Sequence, residues 1–155
     1  MPRIDIESLP RRVGGSYPAP FDQPCAARIR RRLGDAGGLT DFGVNLLDLP
    51  PGTWSSQRHW HSNEDELVWV LKGEVTLIDD AGEHVLHAGD CAVFPKGDAN
   101  GHHLVNRSNS AVVCLEVGSR NPHHDVCSYT DIDLRIGDRA RGYTHRDGSA
   151  YPTRR

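Results

Sequence analysis

The sequence predicts an all-β fold, either a sandwich or a barrel. Between residues 39 and 118, about eight short runs rich in Val, Leu, Trp and Thr recur, separated by turn signals every 8 to 12 residues or so. Apolar residues at the spacing of a helix are nearly absent, which disfavours a βαβ fold. We therefore expect a barrel over residues 39–118, preceded by an N-terminal arm (1–38) and followed by a C-terminal strap or tail (119–155).

Each predicted strand is an apolar run that ends at residues typical of a turn. In chain order, the runs are LTDFGVNLLDL, WSSQRHWH, ELVWVLK, VTLI, HVLH, CAVF, HHLVN and AVVCLEV. The residues that follow these runs are mostly Gly, Pro, Asp, Asn and Ser, which favour turns. Between VTLI and HVLH, the segment DDAG supplies a glycine for the positive-φ position of a hairpin turn, so we expect a hairpin there.

The two flanking segments are polar and rich in Gly, Pro and Arg. In the arm, we expect one or two helical turns around Ala26 to Leu33. The basic run RIRRRL, residues 28–33, is interpreted as a solvated arm or helix face rather than a polyanion site, since the whole chain is acidic. In the tail, YTDIDLRI is expected to form an edge strand or an extended strap.

Composition and charge argue against several classes of function. The 155-residue chain has a formal net charge of -3, which argues against binding to nucleic acid or to an anionic membrane. No apolar run approaches the length of about 20 residues that crosses a bilayer, and the N-terminal residues lack the apolar core of a signal peptide. The four cysteines show no CxxC spacing. We therefore expect a cytoplasmic protein with buried, reduced thiols.

Polar side chains interrupt the predicted strands at positions that would face the barrel interior. His59 and His61 project to one face of a strand, and Glu66 opens the next strand. His102 supplies a third imidazole on a later strand. Each residue alone is a weak signal, because such histidines and strand-end carboxylates are common on surfaces. A buried, unpaired carboxylate would be costly, and a cation between it and the imidazoles removes that cost.

Other polar residues of these strands are candidates for a pocket. Gln57 has the strand parity of the two histidines that follow it, so it could touch a metal ligand or a substrate. Asn106 shares a strand face with His102, where it would either hydrogen-bond a ligand or fix a turn. His103 points the other way, so we expect it on the exterior or at an interface.

Glu116, on the last predicted strand, has two possible positions. If it faces the interior together with Cys114, it is a candidate general base near a metal. If the apolar residues of the opposite face, Val113, Leu115 and Val117, form the core, Glu116 is a surface charge. The alternation of apolar residues favours this second arrangement.

The first group of these residues resembles a motif of the cupin family. Gly52 is followed by His59-x-His61-x4-Glu66 and then by Gly73. The sequence departs from the family pattern in having six residues rather than five between Gly52 and His59. This is a difference in loop length, and the ligand strands keep their register.

The second group resembles the other cupin motif. Gly89 is followed by Pro95 and Gly97, and then by His102-x3-Asn106. Four residues rather than two separate Gly97 from His102, so the loop DANG is longer than the family pattern. This difference leaves the shape of the pocket mouth open.

The resemblance covers roughly residues 39–118, and the two groups of residues resemble small single-domain bacterial cupins of the type usually without an assigned reaction. It implies a double-stranded β-helix, the jelly-roll barrel, which is commonly dimeric. It also implies one divalent transition metal held by His59, His61, Glu66 and His102. Manganese, iron, nickel, cobalt, copper and zinc all suit this set of nitrogen and oxygen ligands.

A metal with four protein ligands keeps about two positions for water, dioxygen or a substrate. We expect a metal-dependent enzyme of the isomerase or lyase type, acting on a small oxygen-rich metabolite such as a sugar derivative or a hydroxy or keto acid. The alternatives are an iron-dependent dioxygenase and a non-catalytic module that binds a small ligand. The run ELVWVL is apolar on both faces, with Leu67, Trp69 and Leu71 on one of them. A second sheet, the N-terminal arm or another subunit must cover the outer face, and we predict a homodimer.

Overall fold

The computed structural model of the chain describes residues 3–137 and 140–151. The first two residues of the predicted arm and residues 138, 139 and 152–155 of the predicted tail lie outside this description. The strands are β1 (Arg12–Val13), β2 (Ile29–Arg32), β3 (Phe42–Leu49), β4 (His59–His61), β5 (Glu66–Lys72), β6 (Glu74–Asp79), β7 (Gly82–His87), β8 (Cys91–Phe94), β9 (His103–Val105), β10 (Val112–Ser119), β11 (Cys127–Tyr129) and β12 (Arg135–Ile136). The helical elements are short: two 3₁₀ turns, Ile6–Ser8 and Gln23–Cys25, and the α-helical turn α1, Leu33–Ala36.

The strands form three antiparallel sheets. The largest has six strands in the order β1-β2-β3-β10-β5-β8, and it is the only one that includes strands from the arm within the described residues. A second sheet has the order β7-β6-β9, and a third has the order β12-β11-β4. The predicted all-β architecture is confirmed.

Each of the eight predicted runs overlaps one strand, from β3 to β10. The predicted hairpin is present, because β6 pairs with β7 and the register ends at Asp79 opposite Gly82. Gly82 has a φ of 123°. A side chain is strained in that conformation, which explains the glycine at this turn.

The prediction of helical turns around Ala26 to Leu33 is wrong for most of that segment. Residues Ile29–Arg32 form β2, which pairs antiparallel with β3 from Ile29 opposite Asp48 to Arg32 opposite Asn45. This pairing satisfies the backbone groups along one side of β3, so tertiary context decides the conformation. The prediction that the basic run is solvated is also wrong for two of its arginines, because Arg28 and Arg31 are buried.

Two apolar clusters stabilise the fold. The larger lies inside the barrel and consists of Leu47, Leu49, Val70, Val75, Leu77, Leu104, Val112 and Cys114. The second joins the arm to the tail and consists of Tyr17, Cys25, Cys127, Tyr129 and Leu134. Both flanking segments are therefore packed parts of the structure.

The face of β10 that points into the barrel is the opposite of the face that the sequence pattern favoured. Val112 and Cys114 are fully buried, and Glu116 lies on their side of the strand. The preference for Val113, Leu115 and Val117 as the core face is therefore wrong. That apolar face belongs to the outer surface of the six-stranded sheet, where Trp69 is 47% exposed and Val93 is 62% exposed.

The cysteines are all unpaired, but they are not all buried. Cys25, Cys114 and Cys127 are buried, whereas Cys91 is exposed on β8, so the prediction of a buried thiol is wrong for Cys91. In the described ranges, the helices are all too short to cross a membrane.

Candidate metal centre

The four predicted metal ligands converge inside the barrel. Strand β4 brings His59 and His61 to one face, and the backbones of His59 and His102 exchange two hydrogen bonds, of 3.1 and 2.9 Å. Glu66 begins β5, where it lies opposite Phe94 of β8. The ring of Phe94 stacks on the imidazole of His102 with 3.4 Å between centroids, so one face of that imidazole is covered.

One carboxylate is surrounded by three imidazole nitrogens. Glu66 Oε2 lies 3.1 Å from His102 Nε2 and 3.6 Å from His59 Nε2. Glu66 Oε1 lies 3.7 Å from His61 Nε2. Two ligands at right angles around an ion with bonds of about 2.1 Å are about 3 Å apart. These separations therefore fit a set of ligands around one metal ion.

The remaining ring nitrogens of two histidines are fixed by acceptors. His59 Nδ1 lies 2.9 Å from the carbonyl oxygen of Gln57, and His61 Nδ1 lies 2.6 Å from Oδ2 of Asp125. Because a carbonyl oxygen only accepts, the proton of His59 belongs on Nδ1, and the same holds for His61 beside a carboxylate. In the neutral rings, Nε2 then carries a lone pair that points at Glu66.

A lone pair and a carboxylate that face one another require either a proton or a metal cation between them. For His61, burial lowers the pKa, but hydrogen bonds to Asp125 and Cys127 and the charge of Glu66 raise it to about 11. For Glu66, burial acts to raise the pKa, yet hydrogen bonds to His102 and His59 hold it well below its usual range. The electrostatics of the protein therefore favour positive charge at this point.

Three residues near the centre were not predicted from the sequence. Glu64 and Asp125 each place a carboxylate oxygen within 4.8 Å of a nitrogen of His61, and Cys127 places its sulfur within the same distance of nitrogens of His59 and His61. Asp125 and Cys127 come from the tail, where Cys127 pairs with His61 across β11 and β4. Strand alternation in the barrel gives no information about partners that come from outside it.

Two of the predicted pocket residues have structural roles instead. The side-chain nitrogen of Gln57 donates to the carbonyl oxygen of Phe21, 2.7 Å away, so that side chain ties down the arm. Asn106 is fully buried and donates to the carbonyl oxygens of Leu49 and Ser110 at 2.7 and 2.8 Å. Of the two roles expected for Asn106, the structure therefore supports the turn-fixing one.

Two further residues near the cavity, Glu116 and His103, lie in positions that differ from the sequence-based prediction. Glu116 faces inward, where its carboxylate accepts two hydrogen bonds of 2.7 Å from Arg30. It is therefore held in an ion pair, and the surface position that the sequence favoured is wrong. His103 is buried rather than exterior, since its Nδ1 lies 3.0 Å from the carbonyl oxygen of Ser56 and its ring packs on Trp54.

The cluster opens into a cavity of about 740 Å³. Its wall includes all four predicted ligands, the Arg30–Glu116 pair and several residues of the arm and the tail. Among the latter are Tyr17, Tyr129 and Tyr143. Nine charged side chains, four of them arginines, line the cavity together with these rings within the described residues. The size of the cavity is typical of a site for a small molecule, and its lining suits a polar or charged one.

Comparison with known proteins identifies relatives of the same architecture. The Cupin domain model matches residues 45–118. A structure of a sugar phosphate isomerase of the cupin superfamily from Silicibacter pomeroyi is 44% identical, with a TM-score of 0.91 and a match to 97% of each chain. A structure from Acidithiobacillus ferrooxidans, designated a candidate sugar phosphate isomerase, is 32% identical, with a TM-score of 0.72 over 84% of this chain and 82% of that one.

A curated relative is more distant. A germin-like protein of Arabidopsis thaliana, subfamily 1 member 5, is 34% identical over an alignment of 95 residues, and the match covers 55% of this chain and 42% of that protein. The chain thus spans less than half the length of this relative. The Silicibacter match nevertheless covers nearly all of both chains, so the predicted jelly-roll fold is confirmed and the chain belongs to the cupin family.

Proposed function

We propose that the protein is a metal-dependent isomerase of a sugar phosphate, with one divalent transition metal held by His59, His61, Glu66 and His102. The observation on which the proposal rests is the arrangement of three Nε2 atoms around one carboxylate. Two of those rings have their Nδ1 atoms fixed by acceptors, which orients the lone pairs in the way that metal-binding histidines require.

The choice of substrate is supported by the relatives. The protein from Silicibacter pomeroyi, 44% identical along nearly the whole chain, is described as a sugar phosphate isomerase. The Acidithiobacillus ferrooxidans protein has the corresponding designation. A sugar phosphate also agrees with the expectation of a small oxygen-rich metabolite, and the cavity of about 740 Å³ has room for one.

The side chains have distinct parts in such a reaction. A divalent metal at this site would supply a Lewis acid that polarises a carbonyl or hydroxyl oxygen of the sugar. The neutral histidines and Glu66 would hold it, and Asp125 would keep the ring of His61 in its tautomer. Glu116 is not free to act as a base while Arg30 holds both of its oxygens. Its role in this proposal is to balance the charge of Arg30.

The decisive experiment is elemental analysis of protein purified without added metal. We expect close to one equivalent of a divalent transition metal in the native chain, and its loss in His61→Ala with the fold retained. The matched control is His84→Ala, because His84 is an exposed histidine paired with Asp79, and it should keep the metal. A native protein and a His61→Ala variant with equal metal content would end the proposal.

Turnover is tested on pairs of aldose and ketose phosphates followed by NMR. We expect interconversion that is lost after chelation, restored by the native metal and unaffected by removal of oxygen. Activity that persists without metal would contradict the mechanism. Oxygen-dependent product formation would instead identify a dioxygenase, and saturable binding without turnover would identify a ligand-binding module.

We further propose that the chain is a cytoplasmic homodimer. The exposed apolar side chains Trp69, Leu71 and Val93 lie on neighbouring strands of the six-stranded sheet, where a second copy would cover them. The unpaired state of all four cysteines supports a reducing compartment.

A further inference from the structure

We infer that Arg28 binds the phosphoryl group of the substrate, at a subsite in the same cavity as the metal ligands. The inference rests on the proposed function for the sugar itself and adds the position of its anionic end. Arg28 and the four metal ligands all line the cavity of about 740 Å³.

The guanidinium of Arg28 is held in a fixed position. Its Nε donates to the carbonyl oxygen of Gly14 at 3.0 Å, and its Nη1 donates to the carbonyl oxygen of Ser55. Its central carbon lies 5.5 Å from the centre of the Tyr17 ring. A Cβ at Gly15 would collide with Nη2, so a side chain at this position would displace the guanidinium. The whole residue is only 7% exposed.

Arg28 differs from the other arginines of the cavity in having no carboxylate to balance its charge within the described ranges. Among the described residues, four arginines line the wall, and three of them have carboxylate partners: Arg30 with Glu116, and Arg32 and Arg120 with Asp35. Arg28 has carbonyl partners but no carboxylate within the described ranges. Carbonyl oxygens satisfy hydrogen bonds without neutralising the charge, and a buried cation without a counter-charge is costly.

The free donors of Arg28 suit a phosphoryl group. Its Nη2 has no acceptor in the part of the chain that the structure describes, whereas Nε and Nη1 are engaged. The planar guanidinium matches phosphate oxygens in geometry and strengthens the hydrogen bonds by its charge. The hydroxyls of Ser16 and Tyr143, 3.4 Å apart, line the same cavity and add neutral donors. A dianion would neutralise a charge that the protein leaves unbalanced.

The subsite adjoins the metal ligands through one short stretch of chain. The carbonyl of Ser55 accepts from Arg28, and the hydroxyl of the next residue, Ser56, lies 3.3 Å from Nδ1 of His59. A sugar phosphate with its phosphoryl group on Arg28 would therefore extend toward the metal centre along the wall that this stretch forms. We expect the hydroxyl and carbonyl oxygens of the sugar to lie beside the four proposed ligands, which would hold the metal.

The first test uses the unaltered protein and inorganic phosphate, followed by backbone amide NMR. We expect saturable shifts at Gly14, Gly15 and Ser55, both in the metal-free protein and in the protein loaded with zinc. If phosphate perturbs only the amides around His59 and His61, and only with zinc present, it is a metal ligand and the inference is wrong. An absence of saturable shifts beside Arg28 would overturn it equally.

The second test uses variants and phosphate titration by calorimetry. Arg28→Met should weaken phosphate binding at least about tenfold, with Arg28→Lys in between, because a lysine keeps the charge but loses the fork. The control is Arg107→Met, an exposed arginine paired with Glu83, which should bind phosphate as the native chain does. If Arg28→Met does not fold, phosphate affinity in Arg28→Lys and the amide shifts of the native protein decide whether the subsite exists. Native affinity in a folded Arg28→Met variant would disprove the subsite.

Metal analysis separates this inference from the proposed function. All three arginine variants should keep the native metal content, since none of them removes a ligand. Arg28→Met should lose its preference for the phosphorylated sugar over the unphosphorylated one. Retained metal and turnover with unchanged phosphate binding would reject the subsite alone, whereas absence of metal from the native chain would reject the proposed function.

Discussion

Asp125 Oδ2 lies 2.6 Å from Nδ1 of His61, which connects the C-terminal segment to the strand that carries two of the proposed ligands. The other oxygen, Oδ1, accepts a hydrogen bond of 2.8 Å from the backbone N–H of Asn63. The same carboxylate thus fixes the imidazole ring and the loop that follows β4. Such a partner sets the tautomer of a metal-binding histidine and makes it a stronger ligand.

We expect Asp125→Asn to lower metal affinity about 10- to 100-fold, because the amide holds the ring but is a poorer acceptor. Competition between the protein and a chelator measures this directly. The control is Asp133→Asn, since Asp133 accepts from Nδ1 of His145 at 2.8 Å in a similar pair away from the site. Equal affinities in the two variants would show that Asp125 does not act on the metal.

The ion pair between Arg30 and Glu116 should stabilise the fold. Arg30→Met leaves a largely buried carboxylate without its partner, and we expect a loss of about 2 kcal/mol in the free energy of unfolding. The double variant Arg30→Met/Glu116→Gln should recover at least about 1 kcal/mol of this loss. Urea denaturation of Arg30→Met, Glu116→Gln and the double variant measures the coupling energy between the two residues. Strictly additive losses would contradict a direct interaction.

The apolar cluster between the arm and the tail should contribute to the free energy of unfolding as much as a hydrophobic core does. Leu134 is fully buried in it, and Leu134→Ala should cost about 2 to 5 kcal/mol of unfolding free energy. Leu39→Ala, at a residue that is 41% exposed, should change stability by less than about 0.5 kcal/mol. A small effect at Leu134 would mean that the tail detaches in solution.

Thiol labelling should separate the cysteines by exposure and pH. Burial, with a smaller effect of the Glu116 charge, raises the pKa of Cys114 to about 12. Because the thiolate is the reactive form, Cys114 should stay unlabelled in the folded protein even at pH 9. Cys91 lies opposite Trp69 on the face that we propose a second copy covers, so it should react quickly in the dissociated monomer. Mass spectrometry locates the label, and Cys91→Ser should remove the fast phase. Rapid labelling of Cys114 would contradict its burial.

The proposed dimer makes a prediction about the outer face of the six-stranded sheet. Trp69→Asp puts a charge in the apolar face, and we expect it to yield monomers by light scattering at concentrations where the native chain is dimeric. Val85→Asp is the control, since Val85 is also exposed but lies on β7 in another sheet. A native chain that is monomeric throughout, or a dimeric Trp69→Asp variant, would reject this interface.

The alternation of the sequence predicts the barrel well because each barrel strand buries one face. The eight apolar runs all overlap strands, and parity places His59 and His61 together beside Glu66. The same parity argument is wrong at β10, because the interior face carries Glu116 while the outer face carries the apolar Val113, Leu115 and Val117. Burial in the barrel selects the face with Cys114, while the exposed apolar face belongs to the surface that we propose a second copy covers.

Contacts made by the flanking segments could not be read from local patterns. β2 consists of one isoleucine and three arginines, too weak a local signal for a strand, and it is a strand because β3 offers unpaired backbone groups beside it. Asp125 follows a polar stretch that carries no periodicity, so its approach to His61 depends on how the tail returns to β4. Long-range pairing of this kind requires the three-dimensional structure.

The pairing of β2 with β3 and of β11 with β4 has a practical consequence for transplanting or trimming the site. A fragment cut to residues 45–118 would keep all four imidazole and carboxylate donors. It would also bare the hydrogen-bonding edges of two strands and leave His61 without Asp125. A graft of this site onto another protein should therefore include both outer segments, because the four proposed ligand residues alone do not fix the positions of their side chains.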